Sequence, residues 1–539
     1  MSLESPQLNS IRTLIDQRAD EQPDTVFLID PVTQVSCNFS QLRALCSTLC
    51  KQVSATGVAQ GSSVAYAMNN GIEAAVTILG LQYGGYRAVA INLVAGRDVM
   101  GYVLSHSETA LVITQSDLVS TVNDALQSDG FMEGKNNPPL LATLTHLEND
   151  AEPRMALLWQ LVEWATESTA PIFCESPVTT TQTHEVTPEQ DALLMYTSGT
   201  TGRPKGVVLS HANLLAGGHN VAQGHELTLN DKALCVLPLF HINGLCVTLM
   251  GPLVSSGSVV IPPRFSTSKF WGWIEDHACT WFSVVPTQIS YLLRDADQPN
   301  GMARKLPKLR FGRSASAPLS PDVHGSFEKQ FTIPLIETMG LTETAAQILS
   351  NPMPPAKRKL GSPGLPVGVD LRIVNPDLVD VAANEEGELL VRGASVMHRY
   401  YLDPKATEAA LTPDGWLRTG DLGRVDDEGY VFITGRLKEL IIKGGENIAP
   451  REIDDALYRH PDVVEAAAFA VSCNDYGQRV EAAVSLKPGS TLAVGELLGL
   501  VQGVVGQFKC PDQIHFLEEL PKGPSGKIQR NKLCDMSFS

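Results

Sequence analysis

The chain has 539 residues and sets 41 Lys plus Arg against 59 Asp plus Glu, a formal net charge of −18. That length predicts more than one domain and a large core, and the acidity argues against nucleic acid or an anionic membrane as partner, since both demand clustered cations. Ten cysteines are scattered through the chain, only Cys46 and Cys50 sit close together, and no second Cys or His pair completes a zinc site, so reduced thiols and an intracellular compartment are expected.

The first thirty residues contain no apolar block of signal-peptide length, and Ile11, Leu14 and Ile15 predict one face of a short amphipathic helix. Short buried strands are predicted at 62–68 (SSVAYAM), 87–93 (RAVAINL), 110–115 (ALVITQ) and 257–263 (GSVVIPP), with a helical pattern over 71–85. Alternation of this kind predicts α/β layers. Segment 155–165 (MALLWQLVEWA) is amphipathic, and the Thr- and Pro-rich stretch 166–190 predicts an exposed connection. That connection leads to YTSGTTGRPKG, residues 196–206. Its three glycines and Pro204 oppose regular structure, while its backbone N–H groups, hydroxyls and Lys205 suit phosphate oxygens. It is not the usual P-loop, because Gly206 follows Lys205 where Ser or Thr would hold magnesium.

The most apolar window, 244–254, is broken by Gly251 and Pro252 and is too short to span a bilayer. The C-terminal SFS is not the SKL address, so a soluble cytoplasmic protein is the default expectation. Beyond residue 365 strands and turns take over, at 370–375, 387–393 and 426–435. A smaller unit is expected after 435–438: a capped-looking helix in PREIDDALYRHP, strands in VVEAAAFAVS and EAAVSLKP, a helix near 491–507 and a strand in QIHFLEEL. No repeat of 20–50 residues is visible.

Six motifs follow in order: TSGTTGRPKG (197–206), PLFHINGL (238–245), MGLTET (339–344), WLRTGDLG (416–423), GRLKELIIKGGENIAP (435–450) and PKGPSGKIQR (521–530). Together they resemble the adenylate-forming superfamily of acyl-CoA synthetases, luciferases and peptide-synthetase adenylation domains. The resemblance is collinear from about Thr197 to Arg530 and fainter before it. It implies an α/β fold: a large N-terminal adenylation domain (1–435) of layered α/β subdomains plus a β-rich subdomain. A hinge at 436–438 and a small, mobile α+β C-terminal domain (439–539) would follow.

The resemblance also implies roles. Thr197, Ser198, Gly199, Thr200, Thr201, Gly202 and Lys205 would hold ATP phosphates, and Glu343 with Thr200 would hold Mg²⁺, an ion suited to a carboxylate beside phosphates. Glu337, Thr338, Met339, Gly340 and Thr342 would line the nucleotide site, with the Met339 thioether on the adenine where many relatives have Tyr. Asp421 would accept from the ribose hydroxyls, backed by Arg436, and Lys438 would be the hinge residue. Lys527, given reach by Ser525 and Gly526, would be the mobile cation at the α-phosphate and the attacking carboxylate.

KGGENIAPREID and YYLDPKATEAAL are similar to the CoA-ligase branch. Lys443, Gly444 and Gly445 would line the thiol tunnel, the glycines by leaving room, and His241 would gate it or polarise the adenylate. GRSASAPLSP (312–321) is similar to the oxalyl-CoA synthetase and peroxisomal CoA-synthetase subgroup and sets Arg313 at the pocket rim, with Ser314 and Ser316 beside it. A guanidinium there suits a second carboxylate. The implied reaction is ATP-dependent ligation of a carboxylic acid, a short di- or polycarboxylate, to coenzyme A. A medium- or long-chain or aromatic acid, or loading of a carrier protein, stays open as an alternative.

Overall fold

The computed structural model describes residues 9–134, 138–146, 157–162, 185–197, 203–295, 306–523, 526–536 and 538. It forms two compact units: Met1–Phe265 with Leu341–Gln347 and Gly393–Ala409, and Ser266–Gly340 with Ile348–Arg392 and Ala410–Ser539.

The first unit carries an eight-stranded sheet. Its central strands Ser63–Ala67, Arg87–Ala90, Leu111–Gln115, Leu140–His146 and Asp191–Thr197 run parallel where they pair with one another. Parallel strands are covered on both faces and so read as continuous apolar runs, as SVAYA does here with every residue buried. The predicted strand at 87–93 ends at Ala90, and that at 257–263 stops at Val260, before Pro262 and Pro263, which offer no ladder donor. Segment 155–165 contributes the strand Leu157–Val162, antiparallel to Leu140–His146. Most of the connection expected at 166–190 lies outside the described residues.

Helix Ile11–Glu21 buries Ile11 and Ile15 and starts at Ser10, whose side chain accepts from Thr13 N. Helix Ile72–Tyr83 is buried on nearly every side, which explains its weak amphipathic signal. The apolar window at 244–254 forms a π-helix, Asn243–Met250, running into a short α-helix, Gly251–Ser255.

In the second unit, Trp281–Val284, Phe311–Ser314 and Leu335–Leu341 are parallel neighbours. Asp370–Val374, Gly387–Arg392, Leu417–Val425 and Val431–Arg436 make an antiparallel four-stranded sheet. Residues 441–516 supply a further sheet, dominated by the long hairpin Val463–Cys473 and Gly477–Leu486. Helix Pro450–Leu457 begins with Pro450 at its first position and has no side-chain cap at Ala449, so the ring's preset φ replaces the expected cap. Helix Val494–Lys509 is interrupted at Gly506, φ +80°.

Ile441, Ile448, Ile453, Leu457, Val480, Val484, Leu497 and Val501 close one apolar core within residues 441–514. Ile453 is fully buried in it, so Ile453→Ala is expected to cost about 2–5 kcal/mol through lost burial and the cavity left behind. A lower urea midpoint in amide exchange of residues 463–486 checks this; an unchanged midpoint would show that the cluster does not hold these strands.

Candidate active site

In the first unit the strands Asp191–Thr197 and Lys205–Ser210 form a hairpin in which Thr197 is the register partner of Lys205. Ser198, Gly199, Thr200, Thr201 and Gly202 lie outside the described residues, as does Ser525. On the other edge of Lys205–Ser210 the short strand Arg399–Tyr400 pairs antiparallel, Tyr400 opposite Val207. Lys205 Nζ sits 5.1 Å from the centroid of the Tyr400 ring, within cation–π range. The same tyrosine donates its hydroxyl to Glu343 Oε1 at 2.8 Å, and Glu343 O accepts from Met397 N at 2.8 Å. Tyr400 therefore ties the lysine of the glycine loop to the carboxylate of MGLTET. Burial, with Glu343 alongside, pushes its phenol well above the usual tyrosine value, so it stays a donor.

Glu343 lies on the 3₁₀ turn Thr342–Thr344, with Thr342 buried beside it. No group of three or more His, Cys, Asp or Glu gathers as a metal cage among the described residues. A lone carboxylate with free lone pairs fits magnesium, which takes one or two protein oxygens and completes its shell with phosphates and water. His241, half-buried, accepts from Asn243 N at its Nδ1, 3.4 Å away, and its carbonyl accepts from Leu245 N at the start of the π-helix. Turns of this kind concentrate at functional sites.

In the second unit Asp421 and Arg436 oppose each other across antiparallel strands, and Arg436 Nε donates to Asp421 Oδ1 at 2.6 Å. Asp421 is 3% exposed; burial pushes its pKa up, and the guanidinium pulls it back. Lys438 is exposed on the turn that follows. Lys527 Nζ lies 3.9 Å from Glu439 Oε1, and Arg530 Nε 3.5 Å from the other oxygen. Desolvation, then Arg436, lowers the lysine pKa, opposed by Glu439 and Asp421. With 38% of the side chain exposed, solvent screens much of that effect. Asp421, Arg436, Glu439 and Lys527 thus form one cluster.

A second group stands at the ends of the parallel strands. Glu337 is buried and raised by desolvation; its Oε1 accepts from Leu319 N, and its Oε2 has no hydrogen-bond partner among the described residues. Ser314 Oγ, on the neighbouring strand in register with Glu337, is likewise without one. Orphaned buried polar atoms of this kind call for a ligand or water. Thr338 Oγ1 donates to Ser314 O; Met339 and Gly340 are half-buried at the strand end.

Arg313 departs from the expected rim. It is 2% exposed on Phe311–Ser314 and donates from Nη1 to Ser283 Oγ at 3.0 Å, because its strand is an inner one of a parallel set. Ser316 follows on a turn with φ +73°. Lys443 donates to Phe508 O at 3.1 Å and lies 3.5 Å from Asp512. Gly444 and Gly445 form the tight turn between Ile441–Lys443 and Glu446–Ile448, with φ of +60° and +87°. A Cβ at Gly445 would meet nothing within 4 Å, so left-handed backbone rather than crowding calls for glycine there.

Sequence reasoning missed Tyr400 and Glu439. Both lie inside quoted motifs, YYLDPKATEAAL and GRLKELIIKGGENIAP, so only their partners were hidden.

The AMP-binding enzyme model matches residues 15–401 and the AMP-binding enzyme C-terminal domain model residues 452–527. A sulfoacetate–CoA ligase from Cupriavidus necator is 44% identical over 527 residues, covering 98% of each chain. An oxalate–CoA ligase from Arabidopsis thaliana is 33% identical, covering 89% of each. Among solved structures, ATP-bound MatB from Rhodopseudomonas palustris superposes with a TM-score of 0.82 at 26% identity, covering 97% of this chain and 98% of that one. A Bacillus subtilis o-succinylbenzoate CoA synthetase holding its acyl-adenylate gives 0.78 at 27%, with the same coverage. With motifs, fold and both family models in agreement, the chain belongs to the AMP-binding enzymes.

Proposed function

We infer that the chain is an ATP-dependent, AMP-forming acid–CoA ligase acting on a small carboxylic acid. The chief support is the cluster of Lys527 beside Asp421, Arg436 and Glu439, a cation on a short loop among groups suited to a ribose and its phosphate. In the first half-reaction a carboxylate oxygen attacks the α-phosphorus of ATP; the bond to pyrophosphate breaks, giving acyl-AMP. In the second the CoA sulfur attacks the acyl carbonyl, AMP leaves with the anhydride oxygen, and the thiol proton is lost.

Charge builds on phosphate and carboxylate oxygens in the first step, so fixed positive charge does most of the work. Lys205 serves the β- and γ-phosphates, together with Thr197 and the loop after it. Mg²⁺ at Glu343 would neutralise phosphate charge, and Tyr400 orients that carboxylate. Asp421 accepts from the ribose, Arg436 holds it in place and opposes the rise that burial causes, and Glu337, Thr338, Met339, Gly340 and Thr342 serve the remaining nucleotide. Lys527 stabilises the α-phosphate as the bond changes. Residues 439–539 act as the mobile part, pivoting at 436–438, and bring Lys443, Gly444 and Gly445 to the thiol for the second step while His241 guards its path. A chain that consumes ATP and CoA works where those pools are, and we assign it to the cytoplasm.

The acid is proposed to carry a second anionic group. Sulfoacetate and oxalate, named for the two relatives, both do, and Arg313 with Ser314 and Ser316 offers a planar donor fork beside hydroxyls.

Lys527→Ala is expected to abolish acid-dependent ATP–pyrophosphate exchange while thioester formation from supplied acyl-adenylate is largely retained. Equal loss of both half-reactions would sink the assignment of Lys527 to the first alone.

Arg313→Ala is expected to raise KM for oxalate or sulfoacetate and spare acetate. Truncating one partner of a hydrogen-bonded charge pair costs about 2–5 kcal/mol, hence well over tenfold in kcat/KM, and Arg313→Lys should rescue poorly. Because the side chain is buried, thermal midpoints of all three proteins are compared. A uniform loss across the acids would assign Arg313 to the fold and end the second-anion reading.

A further inference from the structure

On either side of residues 524 and 525, which lie outside the described residues, the segment bearing Lys527 pairs with itself as a hairpin. Lys522 and Ile528 bridge across it, Gly523 N donates to Lys527 O, Gly526 N to Gly523 O, and Gln529 N to Pro521 O. Helix Pro286–Arg294 presents two side chains to this hairpin, Thr287 and Tyr291, spaced i,i+4 and hence on one helix face. Thr287 Oγ1 donates to Gly526 O at 3.1 Å, next to the lysine itself. Tyr291 OH donates to Glu465 Oε1 at 2.9 Å. Glu465, only 1% exposed, also receives Lys522 Nζ at 2.7 Å and Leu520 N at 3.1 Å. Lys522 bridges on to Glu519 and lies 5.5 Å from the Tyr291 ring centroid.

Two features make this more than ordinary packing. A buried carboxylate demands that its partners stay in place, and those of Glu465 come from the helix and from both ends of the segment leading into the hairpin. Gly526 has φ +77°, and a Cβ on it would stand 2.9 Å from Val285 Cγ2 and 3.2 Å from Thr287 Oγ1. The hairpin is thus shaped to meet the start of this helix. The side-chain hydrogen bonds that Thr287 and Tyr291 make here are polar, which suits an interaction that must break as well as form.

We propose that the Thr287–Tyr291 face of helix Pro286–Arg294 is a docking face for the lysine hairpin, with Tyr291 the positioning residue that, through Glu465 and Lys522, holds Lys527 ready for adenylation. This rests on the ligase reading in assigning the hairpin to the first half-reaction only. Tyr291 touches no reacting atom; it fixes where the lysine stands.

The test compares wild type, Tyr291→Phe and Thr287→Val in two measurements. Hydrogen–deuterium exchange of peptides spanning 517–530 needs no substrate; both variants are expected to exchange faster there than wild type, while peptides of the first unit's sheet, 63–115, keep the wild-type rate. With sulfoacetate or oxalate as acid, ATP–pyrophosphate exchange should fall about tenfold in kcat for Tyr291→Phe, the scale for losing one hydrogen bond to a charged group, and less for Thr287→Val, whose partner is a backbone carbonyl. The KM for ATP and the rate of thioester formation from supplied acyl-adenylate should hold. Unchanged deuterium exchange, or equal loss in both half-reactions, overturns the docking face. A wild type without pyrophosphate exchange on any short acid would instead remove the ligase reading, and deuterium exchange would still decide whether the hairpin docks.

Discussion

A carboxylate taken out of water has to be met by positive charge, and the second unit arranges three such meetings in succession. Asp421 faces Arg436, Asp454 faces Arg530, and Glu439 is shared between Arg530 and Lys527. The two arginines are held tightly: one donates at 2.6 Å, the other also caps Ala468 O at 2.7 Å. Lys527 is the loose member, 3.9 Å from its carboxylate. Glu439 also has Arg530 at 3.5 Å, so displacing the lysine would leave that carboxylate with a cation. One loosely held cation among tightly held ones is what this charge order permits, and the strands, turn and hairpin around it are the means of keeping that order.

The surroundings of Lys205 and Glu343 have a different architecture. They are built on one hairpin and one two-residue strand, with Tyr400 as the joint between an ammonium and a carboxylate. An aromatic ring offers its face to a cation and its hydroxyl to an anion at once, which neither Phe nor Ser could do. Opposite charges are thereby kept near each other without neutralising one another.

Much of this was legible before any coordinates. Glycine-rich and acidic motifs name themselves by composition, and the parallel strands stand out because burial on both faces makes them apolar throughout. What stayed hidden depends on distance in three dimensions. Tyr400 could be read as part of a motif, but not as the partner of residues 57 and 195 positions away. Arg313 is set at a pocket rim by the resemblance of GRSASAPLSP to its subgroup; only the strand order and its burial show it to be interior. The π-helix at Asn243–Met250 leaves no distinct period in so short an apolar run. At Pro450 a ring stands in for a cap, and the sequence pattern of the two is alike.

The strand Arg399–Tyr400 has one more consequence. It lies along the outer edge of the eight-stranded sheet, pairing with Lys205–Ser210, and Tyr401 N satisfies Gly206 O at 2.7 Å. Unpaired edges recruit other chains and seed aggregation. The two-residue cover that shields this edge is the same segment that orients Glu343. Damage here would uncover the sheet edge and release Glu343 from its hydroxyl donor together, so variation in this stretch is constrained twice, by the carboxylate it holds and by the need to keep neighbouring molecules apart.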